Sequence, residues 1–456
     1  MMTRKDAAVA NFRGGGSQVR IGVYALQLLL DLLVLSGSFL LASLIRFGEQ
    51  SPGDSWDWVL VLIPLYVVVG FYGRLYTLDS MKSLRKSTQR AIFALMSTMA
   101  IILFAFFVIK YTDNVSRTMF FLGGAMSFPL LMLVRIPVFL FVDRVIGDRF
   151  VRKLFIVDGV GLRQMAGYEV VDCTELGLKL DLNDPVILHA LSMTIMEYDR
   201  VLVDCRIDHR EQWSLFLQAA GCIGNLLIPE LQSVVSDHSK LDLEAASIRV
   251  STGPLDLRSR MVKRVFDLTI SCLLCFALAP LFIVIAIAIK IDSKGPVLFK
   301  QLRMGRGNRL FYVFKFRSMR NEATDMNGVQ SASRDDHRIT RVGRIIRATS
   351  VDELPQLFNV LRGEMSLVGP RPHALGSKAG NDLFWHVDVR YWLRHSTKPG
   401  ITGLAQVRGF RGATDTHRDL TERLRYDLEY LRNWSILRDI GILLATAGVV
   451  VHKKAY

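Results

Sequence analysis

Residues 268–289 read LTISCLLCFALAPLFIVIAIAI, 22 positions of almost unbroken apolar character with Pro280 in the middle. The length suits a crossing of a ~30 Å hydrocarbon core. The flanks do not. Arg258, Arg260, Lys263 and Arg264 precede the run, and Lys290, Lys294, Lys300 and Arg303 follow it. Lys and Arg collect on the cytoplasmic side of a membrane, so a spanning helix has one basic flank, and this run has two. Pro280 removes a backbone N–H and kinks a helix interior. The expectation is a re-entrant helix over 265–291, broken at Pro280, that enters the inner leaflet and returns. Cys272 and Cys275 mimic a redox or metal pair, but without other ligand types beside them they read as small apolar residues.

Working outward toward the N-terminus, residues 1–20 hold Arg4, Lys5, Arg13 and Arg20 around a triple glycine, a flexible basic tail. Apolar stretches follow at Ile21–Ile45 and at about 58–72, 91–109 and 118–143. The second is short and relies on Trp56, Trp58 and Tyr72 as interfacial anchors. The connection 48–57 carries Glu49, Asp54 and Asp57 with no Lys or Arg, whereas 73–90 carries Arg74, Lys82, Arg85, Lys86 and Arg90. That alternation predicts a four-helix transmembrane domain over 21–148 with both ends cytoplasmic. Composition agrees. The 456 residues hold 57 Lys+Arg against 42 Asp+Glu, a net charge of +15, yet the mean hydropathy is +0.28. Apolar residues in membrane segments and cations facing anionic lipids reconcile the two. Five cysteines without framework spacing argue for a reducing compartment.

From 149 to 255 the composition turns ordinary. Leu154–Val157, Val201–Val203 and Leu226–Ile228 are short buried-strand runs separated by helix-length segments, which predicts a small α/β sheet. Gly159 and Gly161 follow the first run, where a dinucleotide fold places its glycines, but Gln164 stands where the third glycine belongs. A degenerate Rossmann-like module kept for structure or regulation is the expectation.

The chemistry is expected in 256–456. Arg338, Arg341, Arg344 and Arg347 alternate with Ile339, Val342, Ile345 and Ile346, which reads either as a solvated basic face or as an amphipathic helix on an anionic membrane. No basic–aromatic stacking platform accompanies the arginines, so nucleic acid is not an expected partner. Next comes Thr349-Ser350-Val351-Asp352-Glu353-Leu354-Pro355. Ser350 with Glu353 three residues on has the form of a capping box. Alternatively Asp352 caps, with Pro355 in the tolerated first turn. Either way two carboxylates lie at a helix start beside a basic segment, suited to a carboxylate–metal–phosphate site. Pro370 and Pro372 bracket Arg371 and hold its guanidinium in place for bidentate phosphate recognition. These residues point to phosphoryl transfer at a membrane surface.

The run from Lys263 to the C-terminus resembles the catalytic domain of the monotopic phosphoglycosyl transferases, bacterial polyprenyl-phosphate sugar-1-phosphate transferases that start glycan assembly. The matching blocks are Lys263–Asp267, Gly295–Phe299, Phe314–Met319, Ser350–Gln356, Ser366–Pro372 and Lys398–Gly403. Four membrane helices and a degenerate Rossmann-like module ahead of them resemble the large subgroup. One departure is Ala279 before Pro280, where many members have Ser-Pro.

The resemblance implies a two-step reaction in the bacterial inner membrane, with the catalytic domain cytoplasmic. Asp352 would attack the β-phosphate of a UDP-sugar, releasing UMP, and undecaprenyl phosphate would then take the sugar phosphate. Glu353 would hold Mg2+, and Lys315, Arg347 and Arg371 would contact phosphates. His337 and His373 receive no role. The implied partners are the UDP-sugar, undecaprenyl phosphate and membrane lipids, with a homo-oligomer left open. Tyr391-Trp392 and Gln406–Gly409 resemble the glucose-using exopolysaccharide and capsule members, so UDP-glucose is the expected donor and UDP-galactose the alternative. The expected reader of the sugar is the region after Pro372, with Trp385, His386, Asp388, Arg390, Tyr391, Trp392 and the turn Arg408–Gly412. A non-catalytic membrane scaffold of polysaccharide export is the competing reading. The C-terminal run Ile440–Val451 is too short to span and is expected to pack on the catalytic domain or lie in the interface.

Overall fold

The computed structural model describes residues 16–48, 53–109, 116–147, 151–159, 165–175, 177–233, 246–255, 257–320, 338–410, 412, 414 and 416–451. It divides into two compact units, one of Arg13–Arg152 and one chiefly of Lys153–Tyr456.

The first unit holds α1 (Gly16–Phe47), α2 (Gly53–Tyr72), α3 (Leu84–Ile109) and α4 (Arg117–Leu140). Every expected apolar stretch is helical. Three of these helices are long and apolar enough to cross a membrane, over Arg20–Arg46, Leu84–Val108 and Arg117–Ile146, while Val59–Tyr72 is a shorter apolar helix. The second stretch, expected to be the short one, is so here, within the 20-residue helix α2. Its anchors Trp56 and Trp58 lie outside the described side chains. A methyl added to Gly123 of α4 would sit 2.9 Å from the Phe39 ring of α1, so glycine permits that close helix approach. Inside the bundle Arg135 donates to Asp31 at 2.9 Å, and both side chains are buried. Gln27, Tyr76 and Tyr66 also donate to Asp31, at 2.8, 3.0 and 3.4 Å. A charge in hydrocarbon is tolerated when its partner is built in, and here the partner comes from another helix. The hydropathy reading passed over both residues, because one charge barely changes the mean of an apolar stretch.

The second unit begins with the α/β module: β1 (Lys153–Asp158), β2 (Glu169–Asp172), α5 (Pro185–Ile195), β3 (Arg200–Cys205), α6 (Arg210–Ala220), β4 (Ile223–Leu227) and β5 (Ser247–Ser251). The sheet order is β2-β1-β3-β4-β5, parallel except for β5. The three expected strand runs are β1, β3 and β4, hydrophobic because both faces are covered. One face carries Leu154, Ile156, Val201 and Val203, the other Phe155, Val157 and Leu202. Asp158, at the end of β1, accepts from Trp213 Nε1 at 2.7 Å and bonds His209 Nδ1 at 3.0 Å, so its carboxylate is committed inside the module. Gly161 and Gln164 fall outside the described residues.

The remainder starts with α7 (Leu257–Ala277) and α8 (Ala279–Asp292), which meet at a 61° bend. Pro280 lies in the first turn of α8, where a missing N–H costs nothing, so a second helix begins at the break expected there. Phe276 and Ile291 are 86% and 82% exposed, an apolar surface of the kind a membrane covers. Next come the antiparallel hairpin β6 (Leu298–Met304) and β7 (Leu310–Phe316), helices α9 (Arg341–Ala348) and α10 (Gln356–Arg362), and the parallel pair β8 (Ser366–Val368) and β9 (Gly400–Thr402). Helices α11 (His417–Arg432) and α12 (Ile436–Val451) close the chain. Ile442 of α12 is buried with Val313, Leu367 and Tyr430, so the C-terminal run packs on the catalytic half as expected.

The module and the catalytic half share one core. Trp213, Phe216 and Leu217 of α6 cluster with Phe384, Trp385, Tyr391 and Trp392 from beyond β8.

Candidate active site

Thr340 caps α9, its hydroxyl accepting from Gly343 N at 3.0 Å. A methyl on Gly343 would lie 2.0 Å from the Ser318 carbonyl, so only glycine lets α9 press against the end of β7. Arg347 is in its last turn. The chain then turns through Ser350, a non-glycine residue in the left-handed region (φ 56°), into a 3-10 turn of Val351–Glu353. Pro355 stands at the start of α10, and neither Ser350 nor Asp352 caps that helix. The two capping alternatives are both replaced by this turn, which projects Asp352 and Glu353 between α9 and α10.

Glu353 is gripped from two elements. Lys315 of β7 donates to its Oε1 at 2.8 Å. Arg371, just beyond β8, donates from Nη1 to Oε2 at 3.0 Å and from Nη2 to Oε1. This is the planar two-bond fork that a guanidinium makes with a carboxylate. Burial works to raise the Glu353 pKa, but Arg371 and Lys315 outweigh it and hold the carboxyl well below its ordinary range.

Asp352 is the opposite case. Among the described residues no hydrogen bond or ion pair engages its partly exposed carboxylate, although Lys315, Arg347 and Arg371 favour its charged form from nearby. Burial, with Glu353 adding to it, raises its pKa to about 6. Two adjacent carboxylates are thus driven apart, one locked as an anion and one free to react.

Arg371 owes its position to residues that sequence reading did not single out. Arg394 donates to the Arg371 carbonyl at 2.8 Å and is itself held by Asp427 at 2.6 and 2.9 Å. Arg303 donates to the Pro372 carbonyl. His373 bonds Arg394 at 2.7 Å and the Tyr391 hydroxyl at 3.0 Å. Burial and the surrounding arginines hold its pKa well below the usual histidine value, so it is a neutral structural residue. His337 lies outside the described residues.

Three aromatic residues of the expected sugar reader lie in the core, while His386, Arg390 and Arg408 of the same region are exposed. Tyr391 and Trp392 are 3% and 1% exposed and Trp385 is buried with them, all packed toward the α/β module. Asp388 and Arg390 pair with each other at 2.7 Å. Aromatic residues in a row resemble a sugar platform in sequence, but here they are core.

Glu353, but not Asp352, lines a cavity of about 290 Å³ that also takes in Leu274 of α7, Ser350, Val351 and Leu354 of the turn, Ile401 of β9, and Leu443 and Thr446 of α12. Its walls are mostly apolar. For a metal, the donor chemistry fits in part: no cluster of three His, Cys, Asp or Glu occurs among the described residues. Glu353 Oε1 accepts twice and is filled, Oε2 accepts once, and Asp352 keeps both oxygens open. Mg2+ takes one or two such carboxylates together with substrate phosphates.

Comparison with known proteins finds relatives of the second half of the chain. The bacterial sugar transferase family profile matches residues 258–453. The chain is 55% identical over 193 residues to the undecaprenyl-phosphate glucose phosphotransferase of Komagataeibacter xylinus, covering 42% of this chain and 36% of that one. It is 48% identical over 186 residues to exopolysaccharide production protein PSS of Rhizobium leguminosarum bv. phaseoli, covering 41% and 93%. It is 43% identical over 235 residues to the UDP-glucose:undecaprenyl-phosphate glucose-1-phosphate transferase of Escherichia coli K12, covering 51% and 50%. The alignment thus spans about a third to half of the length of the first and third relatives and nearly all of the second. The family profile and these relatives, one of them matched over 93% of its length, place the chain in the bacterial sugar transferase family.

Proposed function

We propose that the protein transfers glucose-1-phosphate from UDP-glucose to undecaprenyl phosphate in the bacterial inner membrane, through a phosphoryl-aspartate, and so begins exopolysaccharide or capsule assembly. The observation that carries this reading is the unengaged Asp352 carboxylate beside a Glu353 that fixes Lys315 and Arg371. In the first step an Asp352 oxygen attacks the β-phosphorus, the bond to the bridging oxygen breaks, and UMP departs with that oxygen. In the second, a phosphate oxygen of the lipid attacks the same phosphorus. The Asp352–phosphorus bond breaks, and the free carboxylate and a lipid diphosphate sugar result. With a pKa near 6, Asp352 is about nine-tenths ionised at neutral pH and needs no base. Lys315, Arg347 and Arg371 offset the negative charge of the two phosphates that must approach it. Asp352 and Glu353 would hold Mg2+, which neutralises a diphosphate when bound.

The apolar cavity bordering Glu353 suits a polyprenyl chain, which a water-soluble acceptor would not require. The cytoplasmic re-entrant placement is supported by the two ends of the broken helix pair. Lys263 near the start of α7 donates to Asp439 at 2.6 Å, and Asp292 at the end of α8 accepts from Val342 N at 2.9 Å. Both ends therefore tie into the same body. The glucose assignment leans on the names of the relatives from Komagataeibacter and Escherichia. A relative from Streptococcus agalactiae, 40% identical over 204 residues, is named a galactosyl transferase, which keeps UDP-galactose as the alternative donor.

The test uses purified protein with Mg2+ and radiolabelled UDP-sugars. UMP release and trapped protein label are expected with UDP-glucose, both lost in Asp352→Asn. Faster release from UDP-galactose would overturn the donor and leave the mechanism. Label trapped on Asp352→Asn would overturn the nucleophile, and no release from any UDP-sugar would favour the scaffold reading.

A further inference from the structure

A second cavity of about 350 Å³ lies where the module's final loop, the first turns of α7, the β6–β7 turn and the segment before β9 come together. None of the residues around Asp352 lines it. Cations do: Arg260, Lys263, Arg264, Arg306 and Lys398, with Asp267 as the acidic member of the lining. Lys263 is neutralised by Asp439. Arg264 uses two of its five N–H groups on the Val360 and Leu361 carbonyls at 2.6 and 2.8 Å, which cap α10 but carry no formal charge, so its charge and its other donors are left over. Asp267 accepts from Leu367 N at 3.1 Å.

Arg260 donates to the Leu255 carbonyl at 2.8 Å, which leaves Arg306 and Lys398. Both are half-buried, and among the described residues no hydrogen bond or ion pair reaches either side-chain head. Burial, and then Arg264 and Arg306, push Lys398 down to about 8. Burial, and then Arg260 and Arg309, push Arg306 down to about 10. Holding such cations together is unfavourable unless an anion completes the site. Arg306 is also fixed in place. Its turn is wedged under α6, where a methyl on Gly307 would lie 3.2 Å from the Ala220 carbonyl, and Asn308 bonds His395 at 2.8 Å.

We propose that this cavity binds a phosphate-bearing anion through Arg264, Arg306 and Lys398, as a second site apart from the Asp352–Glu353 pair. A guanidinium pair and one ammonium suit the unesterified oxygens of a phosphate, three in a phosphomonoester and two in a phospholipid headgroup. The apolar run of α7 begins at Leu268, one turn beyond Arg264, so the site lies at the level where headgroups meet water. It also touches the catalytic framework. The Lys398 carbonyl packs against Gly369, two residues ahead of Arg371, at a spacing that would put an added methyl 2.6 Å away. An anion on Lys398 therefore braces the segment that carries the guanidinium fork.

The test is amine footprinting of the full-length protein in phosphatidylcholine nanodiscs with N-hydroxysuccinimidyl acetate, read by peptide mass spectrometry. At about pH 8 a lysine titrating near 8 carries on the order of a hundredfold more free amine than an exposed one, so Lys398 is expected to acylate quickly. Inorganic pyrophosphate near saturation is expected to slow that acylation about tenfold if the ligand is a soluble phosphate ester. Phosphatidylglycerol in the disc, without pyrophosphate, is expected to do the same if the source is a lipid headgroup. Protection is expected to disappear in Arg306→Gln, which keeps the backbone carbonyl used by Arg309. Lys398 left unprotected by both probes overturns the site. So does protection that survives Arg306→Gln but is lost in Arg371→Ala, because the anion would then sit at the carboxylate pair.

Discussion

Replacing Glu353 by glutamine tests the electrostatics of the carboxylate pair directly. Burial is the largest influence raising the Asp352 pKa, and the Glu353 charge adds to it against Lys315, Arg347 and Arg371. Glu353→Gln removes that negative charge and also frees Lys315 and Arg371 to act on Asp352 alone. Both changes lower its pKa, while burial keeps it above 3.8. A nearby charge is worth on the order of one unit, or ~1.4 kcal/mol, which brings Asp352 from about 6 to roughly 5. The nucleophile is the ionised form, so activity falls as pH drops through the pKa. At about pH 5.5 roughly a quarter of wild-type Asp352 is ionised, against roughly three quarters in the variant. The assay is single-turnover UMP release as kcat/KM across the acid range, each protein normalised to its own plateau, since that ratio reports the free enzyme. The acid limb is expected to shift downward in Glu353→Gln, whatever the loss in plateau. An unchanged limb, or a wild-type limb near the ordinary aspartate value, would refute the coupling.

Three other perturbations follow. Asp427→Asn leaves Arg394 buried without its counter-charge and is expected to cost about 3–5 kcal/mol, read as a lower unfolding temperature, with a raised KM as the Arg371 segment loosens; an unchanged unfolding temperature would contradict it. Gly343→Ala places a methyl against the Ser318 carbonyl and is expected to abolish folded yield or UMP release, and a fully active alanine protein would show that α9 can shift at no cost. Cysteines introduced near Arg258 and Gly295 are both expected to be shielded from an impermeant thiol reagent added outside cells, whereas labelling of one alone would make the bent helix pair a span.

Much of the fold was legible because its signals are local. Continuous apolar runs gave α1–α4 and the module's strands, and Pro280 between two basic flanks marked the break of α7 and α8. The site was legible as far as residue type reaches: Asp352, Glu353, Lys315 and Arg371 do converge. Partnership over long separations was not. The Arg394–Asp427 pair and the Asp31–Arg135 pair join positions far apart in the chain, and no periodicity encodes them. Tyr391-Trp392 misled for a related reason. Residue type gives an aromatic surface but not what covers it, and α6 covers this one.

The core shared by α6 and the aromatic segment imposes an order on how the protein is made. Trp213 and Phe216 leave the ribosome roughly 170 residues before Trp385 and its neighbours, an interval on the order of ten to thirty seconds at bacterial elongation rates. During that time the sheet can assemble, because β1–β4 and their helices are already present, but the outer side of α6 faces water with its partners unmade. The interval includes the whole broken helix pair, which is synthesised before the module can close. The module is therefore held half-finished, and its final packing is timed by synthesis of the segment that also carries Arg394. Substitutions that weaken the α6 face should accordingly show themselves first as lower yield of inserted protein, before any defect in the protein that does fold.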